Sequence, residues 1–508
     1  MASAKDIANR VPITVCLMLA TVMNSLDTTI ANVALPHIQG SVSASQDQIT
    51  WVLTSYIVAT AIMTPLTGWL SVKIGRKQMF LISIAGFTAA SMLCGIATSL
   101  PEIVVFRLLQ GAAGAALVPL SQAVLLDIYP PERIGQVMAL WGAGAILGPI
   151  LGPALGGWLT DNLSWRWVFY INLPVGILAF LGIWSFMDSA VSGASRPFDF
   201  LGFGALVLFI MGFQLVLDRG PTQDWFSSRE IWVEAIISVI GLYLFLMQTL
   251  TAEHPFFERA LAADRNFVTC TLFGAFVGVF LFSTMALMPP MLQNLMGYSV
   301  LESGLVTMPR GVGSFLAMFV VGQLIGRLDT RLILGVGLVL NAYAMWLMTR
   351  WDVNMGSQPI VVAGIIQGLG IGLLFVPLST LAFATLDSRL RPEATSVYTL
   401  MRSLGSSVGI SIMQALWTSN TQVVHSTMAE HIRPGSPVVA AGLPPPFDPG
   451  TPSGLQALNG EITRQASMVA YVDDFWLMLL MTLALMPLLF IMRTPKLSAQ
   501  EMTHVVAD

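Results

Sequence analysis

The chain has 508 residues, 55% of them hydrophobic and 10% charged, with a mean hydropathy of +0.74; an ordinary soluble domain carries about 25% charged residues. That composition excludes a water-soluble globular protein, and a net charge of −4 argues against a nucleic-acid binder. The three cysteines lie in apolar runs and the five histidines in loops or the tail, so neither disulfides nor a metal centre are expected.

Apolar runs predict fourteen membrane spans, near residues 13–35, 50–71, 79–99, 102–124, 136–158, 167–187, 199–217, 231–250, 267–291, 304–326, 331–349, 358–383, 396–417 and 474–492. An even number puts both termini on one side, and loop basic residues divide fifteen to six in favour of a cytoplasmic N-terminus. The polar start MASAKDIANRVP shows no cleavable-signal pattern. No phosphate-cradling GxxxxGKS/T loop occurs, so an ion gradient, not ATP, is the expected source of work.

The first span, Ile13 to Leu35, is bracketed by Pro12 and Pro36 and holds one residue foreign to hydrocarbon, Asp27. A helix rises about 1.5 Å per residue, which puts Asp27 about 21 Å beyond Ile13, inside the membrane. A carboxylate there costs about 2.5–3.5 kcal/mol on insertion scales, so it must face a wet cavity or a partner charge. Two roles are open: a site that gains and loses a proton during transport, or a buried side chain that caps or hydrogen-bonds a neighbouring helix. Asn24, one turn earlier, is placed to line the same polar pocket.

Spans two and three are joined by GWLSVKIGRK, Gly68 to Lys77. Gly68 and Gly75 permit a tight turn, while Lys73, Arg76 and Lys77 can meet acidic lipid, helix C-termini or Asp127. The same cluster also reads as a purely topogenic one. The fourth span carries Arg107, as costly in hydrocarbon as Asp27, with Gln110 beside it. Opposite charges a few ångströms apart would favour the ionised carboxylate, and protonation would weaken the pair. Such a pair serves structure, coupling or both.

The fifth span reads GAGAILGPILGPALGG, Gly142 to Gly157. Gly144, Gly148, Gly152 and Gly156 recur every fourth residue and form a stripe without side chains, onto which another helix can pack closely. Pro149 and Pro153 each remove a backbone donor and loosen the helix. With Gly157 they suggest a smooth, bendable contact between two halves of the molecule; plain tight packing is the simpler alternative.

A repeat supports two halves. Cys16 and Cys270, Pro36 and Pro290, Gln39 and Gln293, Gly68 and Gly322, and Lys77 and Arg331 are each 254 positions apart. QGAAGAALVPLS from Gln110 also answers QGLGIGLLFVPLS from Gln367. Two six-helix bundles, 1–190 and 263–508, with two inserted spans at 191–262, account for fourteen. This all-α integral-membrane arrangement resembles the major facilitator fold, in which the substrate site is expected between the halves at mid-membrane. The second half lacks the acid: Leu281 stands 254 positions after Asp27. Arg310 and Arg402 interrupt its apolar runs as cavity candidates or snorkelling cations, and Met285, Met288 and Met401 are candidates for a pliable drug-binding wall. The outside segment at about 418–473, containing RPGSPVVAAGLPPPFDPGTPSG, reads as irregular or flexible, a connector or an adaptor contact.

Together these stretches resemble the fourteen-span drug:proton antiporters of the major facilitator superfamily, closest to the EmrB-type multidrug exporters. LDTTIANVALP is similar to that family's first-span motif, GWLSVKIGRK to the superfamily's loop motif and RLLQG to its fourth-span motif. GAILGPILGPALGG is similar to the antiporter motif, and LDRGPTQDWFSS and SWRWVFYINLPVG are typical of the subgroup. Ser71 departs from the loop motif, where an acidic residue is usual. The resemblance implies proton-driven export of lipophilic compounds across a bacterial inner membrane, without any cofactor. It also implies a periplasmic adaptor of the EmrA type and an outer-membrane channel. A dedicated exporter of one endogenous compound, such as a fatty acid, siderophore or antibiotic, is the alternative; a membrane enzyme or sensor is not favoured, because no catalytic cluster is seen.

Overall fold

The computed structural model describes residues 6, 8–189, 197–325, 328–432, 447–448, 450–490 and 492. Among these the chain is helical and forms no strand. The long helices are α1 (Arg10–Val42), α2 (Trp51–Ile74), α3 (Arg76–Ile96), α4 (Leu100–Ile128), α5 (Pro131–Asn162), α6 (Trp167–Phe186), α7 (Phe200–Arg219) and α8 (Arg229–Thr251). They continue with α9 (Arg265–Pro290), α10 (Val300–Leu324), α11 (Thr330–Met348), α12 (Ser357–Ala384), α13 (Arg391–Glu430) and α14 (Pro452–Leu485). Thirteen are long and apolar enough to cross a membrane. The remaining one, α13, coincides with the expected thirteenth span, but Arg402, Ser403, Ser406 and Ser407 dilute its apolar run.

Caps explain several helix starts. Asp199 accepts from the Gly202 amide (2.8 Å), Asp264 from that of Phe267 (2.7 Å), and Ser299 with Glu302 forms a capping box ahead of α10. Two boundaries differ from expectation. Pro12 and Pro36 lie within α1 and do not bracket it; a first-turn proline has no helical donor to lose, and Pro36 forfeits one hydrogen bond. The described residues of the 418–473 segment are largely helical, because α13 and α14 run on past the apolar stretch as a paired extension. Trp417 packs on Tyr471 at 5.3 Å between ring centroids, and Asn420 and His425 reach Asp473 and Asn459. Hydropathy ends at the bilayer surface; helical hydrogen bonding does not. Lys5, Arg196, Arg327, Arg433, Arg493 and Lys496, counted in the orientation, lie outside the described residues, as do 433–446 of the proline-rich run and the side chain of Pro149.

Within the first six helices α1 packs along α5, and α4 along α2 and α3; within the last six α9 packs along α13, and α12 along α10 and α11. Two seams join these sets, α5 against α10 and α2 against α13. The α7–α8 hairpin docks on α2: the Asp218 carboxylate accepts from Thr54, and Ser411 of α13 donates to the Leu217 carbonyl (2.6 Å). Arg219 bonds Glu230 and Glu234, each at 2.6 Å, and locks the hairpin at its tip. The LDRG segment thus has a structural task. Cys16, Cys94 and Cys270 are free and buried, and no metal-binding group of side chains occurs among the described residues.

Candidate functional site

Asp27 lies in the middle of α1, fully buried, and faces Arg107 of α4, which is 1% exposed. Arg107 Nη1 donates to Asp27 Oδ2 at 2.6 Å and to Gln110 Oε1 at 2.8 Å, and its Nε donates to the Val52 carbonyl of α2 at 3.2 Å. The guanidinium also lies over the Tyr56 ring, 4.2 Å from its centroid. Asp27 Oδ1 accepts from Gln110 Nε2 (2.8 Å) and Asn172 Nδ2 (2.9 Å). Asn172 also donates to Ser91 Oγ at 2.9 Å. The carboxylate therefore draws donors from α4 and α6, and its arginine is anchored on α2. Burying two charges costs several kcal/mol each, about what a fully hydrogen-bonded pair can recover. Removing one partner strands the other.

Local sequence places these groups. The helical spacing of Arg107 and Gln110 lets both reach α1. Helix α6 breaks at Ile171 and restarts at Asn172, which turns that amide inward. Asn172 and Tyr56 are members of the site that composition alone does not single out; an amide beside Pro174 in an apolar run is the available signal. Asn24 donates to the Tyr56 hydroxyl (3.1 Å) and the Gly114 carbonyl (3.4 Å), so it supports the wall behind the pair.

The glycine stripe faces elsewhere than expected. Gly144, Gly148, Gly152 and Gly156 lie against α1, at Met18, Ser25, Thr29 and Ile30, within the first half and not between halves. A Cβ at Gly148 would run into the Ser25–Leu26 backbone, and one at Gly152 into Thr29 Oγ1. Ser25 and Thr29, flanking Asp27, donate to the carbonyls of Ala145 and Gly148. The periodicity defines a face of α5 but not the neighbour that face meets, and α1 occupies it. The opposite face carries the seam: Pro153 lies near Gly304, Ile150 packs on Gly311, and Ala139 on Gly322 of α10. Despite its prolines, α5 is continuous from Pro131 to Asn162; Gly157 is half-buried near its end.

At the Gly75 end of the bundle, Gly75 has φ +91°, which favours glycine, and Gly68 leaves only 3.0 Å between its would-be Cβ and Glu393 Cα of α13. Arg76 pairs with Asp127, which also takes Arg391 Nη1 of the second half at 2.7 Å. Lys77 Nζ donates to the Trp184 carbonyl in the last turn of α6 (2.7 Å).

In the second half Gln367 Nε2 of α12 donates to Thr284 Oγ1 of α9 at 3.1 Å, as Gln110 of α4 donates to Asp27 of α1 in the first. Registered on the two glutamines, Gly364 stands in the place of Arg107, while Thr284, three residues beyond Leu281, takes the glutamine hydrogen bond that Asp27 takes in the first half. Arg310 of α10, 8% exposed, lies against Gly364 and donates from Nη2 to the Leu281 carbonyl (3.0 Å). Half-buried Arg402 stacks over Phe375, 5.2 Å from its centroid. Met288 is buried in the main core and Met285 is half-buried on the same helix. Met401 packs instead in a cluster with Phe209, Phe213 and Phe256 beside the α7–α8 hairpin. Asp474, drawn as the start of the last span, is buried with both oxygens unpartnered among the described residues.

Comparison with known proteins agrees with this architecture. The family model of the Major Facilitator Superfamily matches residues 17–410. The multidrug export protein EmrB of Haemophilus influenzae is 34% identical over 487 residues, covering 95% of this chain and 96% of that protein. The fatty acid resistance protein FarB of Neisseria gonorrhoeae is 33% identical over 486 residues, covering 95% and 96%. The crystal structure of the human organic anion transporter MFSD10 superposes on 93% of this chain and 99% of its own, with a TM-score of 0.61 at 15% identity, a likeness of fold. The chain belongs to the major facilitator superfamily and, within it, to the family of EmrB multidrug export proteins.

Proposed function

We propose that the protein is a proton-coupled antiporter of a bacterial inner membrane, with both termini cytoplasmic, that exports lipophilic compounds by alternating access. Bundles 1–190 and 263–508 rock about the α5–α10 and α2–α13 seams, with 191–262 as an inserted pair. The observation that carries this reading is the buried Asp27–Arg107 pair in a chain whose relatives include multidrug export proteins. An ionised Asp27 holds α1 to α4 and α6; a proton from the outside cancels its charge and frees Arg107 from its counter-ion. Arg107 keeps Gln110 Oε1 and the Val52 carbonyl, so it stays in place while α1 is released. Ser25 and Thr29 bind α1 to α5, and α5 lies on α10, a route by which α1 can move the second half. Alternation then opens the Asp127–Arg391 contact at the Gly75 end.

The driving force is adequate. One proton crossing 100 mV yields about 2.3 kcal/mol, and a pH difference of one unit adds about 1.4. Together they sustain roughly a 500-fold gradient of a neutral compound at one-to-one coupling. An EmrA-type periplasmic adaptor and an outer-membrane channel belong to the proposal as partners, with the α13–α14 extension as the surface they would meet. The test is transport in proteoliposomes. Inward proton flow imposed on the wild type should expel a lipophilic dye, and Asp27→Asn should abolish that. Export that proceeds equally without a proton gradient would overturn antiport.

A further inference from the structure

The second half has no acid at the place that answers Asp27, yet it buries one elsewhere. Asp474 of α14 is 1% exposed, and neither of its oxygens has a donor among the described residues. Asp27, equally deep, takes donors on both oxygens and a guanidinium on one. The neighbours of Asp474 fix its place. Asp473, one residue before, is exposed where the apolar run of α14 begins and accepts from Asn420 of α13 (3.4 Å). Phe475, one residue after, packs on Trp351 beyond α11 at 5.5 Å. Helical spacing puts Tyr471, Asp474 and Met478 on one face of α14. Tyr471 meets Trp417 of α13, and Met478 Sδ lies 3.9 Å from Thr284 Oγ1, the acceptor of the Gln367 bond. The carboxyl is thus one helical turn from the residue that touches this glutamine pair, on the side of the α13–α14 extension. No cation answers it from the elements packed on α14. Arg402 of α13 lies over Phe375, His425 of α13 meets Asn459, Arg350 beyond α11 lies over Trp346, and Arg464 of α14 itself binds Glu461. The near end of α9, with its Met291–Leu295 continuation, holds no ionisable residue. Tyr471 and Asp473, the titratable neighbours on its own helix, supply no positive charge. A bare carboxylate so placed is far costlier than a neutral acid short of a hydrogen bond, so Asp474 carries a proton in this conformer.

We infer that Asp474 is a second proton-binding site, loaded while Asp27 is ionised and filled from the outside by way of Asp473. The inference rests on the antiporter reading and adds a proton to each cycle. Outside water gives a proton to Asp473, Asp473 passes it to an Asp474 oxygen, and the inward-facing form releases it to the cytoplasm. Trp417 Nε1 also lacks a partner at this interface, and it is the donor on hand for the carboxylate that remains. Each half then carries one acid that changes charge, Asp27 on α1 and Asp474 on α14, although the two are not related by the repeat. A second proton doubles the work available per exported molecule, because each charge crosses the same potential.

The first test counts protons. In proteoliposomes that enclose a pH indicator, the number of protons entering per dye molecule expelled should be about two for the wild type and about one for Asp474→Asn. Infrared spectra of the purified full chain, in a detergent without carbonyl groups, give a second measurement that needs no transport. At neutral pH the wild type should show a carboxylic-acid C=O band that Asp27→Asn keeps, Asp474→Asn removes and alkaline pH bleaches. An amide is isosteric with a neutral acid, so Asp474→Asn should unfold at the wild-type temperature. A wild-type ratio of about one overturns the inference whether or not the variant folds. So does a ratio unmoved by Asp474→Asn, or a band that persists at alkaline pH, the mark of a permanently neutral, structural acid. Dye export indifferent to the proton gradient would remove the antiporter reading alone, and the infrared titration would still decide whether Asp474 exchanges its proton.

Discussion

In the first half an arginine on α4 meets an aspartate on α1; in the second half the matching position of α12 is Gly364, and the arginine comes from α10. Arg310 stands 254 positions after Tyr56, so the tyrosine beneath Arg107 in one half is answered by the cation itself in the other. Each half keeps its glutamine, Gln110 bonded to Asp27 and Gln367 to Thr284. The ends of the halves diverge far less. Gly68 meets α13 and Gly322 meets α5, each bringing backbones together across a seam. Lys77 and Arg331 each donate to a backbone carbonyl near the last helix of their half, Trp184 and Met492. A shared frame with different mid-membrane charge is what a carrier needs if its halves handle different steps.

The largest way to break the comparison is at its charged member. Asp27→Asn should end proton-driven export and, by stranding Arg107, should cost about 3–5 kcal/mol of stability. Thr284→Val, at the residue that takes the second half's glutamine, loses its neutral hydrogen bonds to Phe280 and from Gln367, leaves the buried Gln367 amide bare and should cost about 1–3 kcal/mol with transport retained. Thermal unfolding and dye export measured on both variants check the contrast. Asp27→Asn combined with Arg107→Gln sharpens it: stability should recover, because no lone charge remains, while coupling stays lost. Recovery of coupling as well would reduce the pair to a structural tie.

The next effect compares the two faces of α5. Gly148→Ala would press a methyl into the Ser25–Leu26 backbone, and overpacking of this kind costs about 1–3 kcal/mol. It would also displace α1 next to Asp27, so export should fall along with stability. On the seam side Gly304→Ala has 3.8 Å to its nearest neighbours and should leave both unchanged. Equal effects would mean that the stripe does not seat the proton-bearing helix.

How much of this could be read beforehand depended on how loudly each residue violates its surroundings. Asp27 and Arg107 stand out because a charge in hydrocarbon is costly, and the superfamily fold follows from hydropathy, repeat and motifs. Asn172 does not stand out, since an amide costs less and its inward turn depends on the break at Ile171. The stripe's period revealed a face of α5 but not that α1 covers it, which is a fact of tertiary packing. Asp474 after a proline-rich segment looks like a span boundary, although α14 begins 22 residues earlier at Pro452 and buries it. The α13–α14 extension was hidden for the same reason: polar helix and polar loop have similar hydropathy.

The smallest expected effect falls where the halves agree. Lys77 donates to Trp184, in the final turn of α6, and Arg331 to Met492, beyond the last helix, so each adds a cation to helix-end carbonyls. Such a contact is worth about 0.3–1 kcal/mol near a surface. Lys77→Met and Arg331→Met should therefore lower unfolding stability by similar small amounts and leave proton-driven dye export intact. A larger loss at Arg331 would show that the second half depends on this tie in a way the first does not, since the first also has Arg76 bound to Asp127 at that end. Equal losses would mean that the ancestral repeat still sets the energetics of the helix ends, leaving mid-membrane charge as the level at which the halves have specialised.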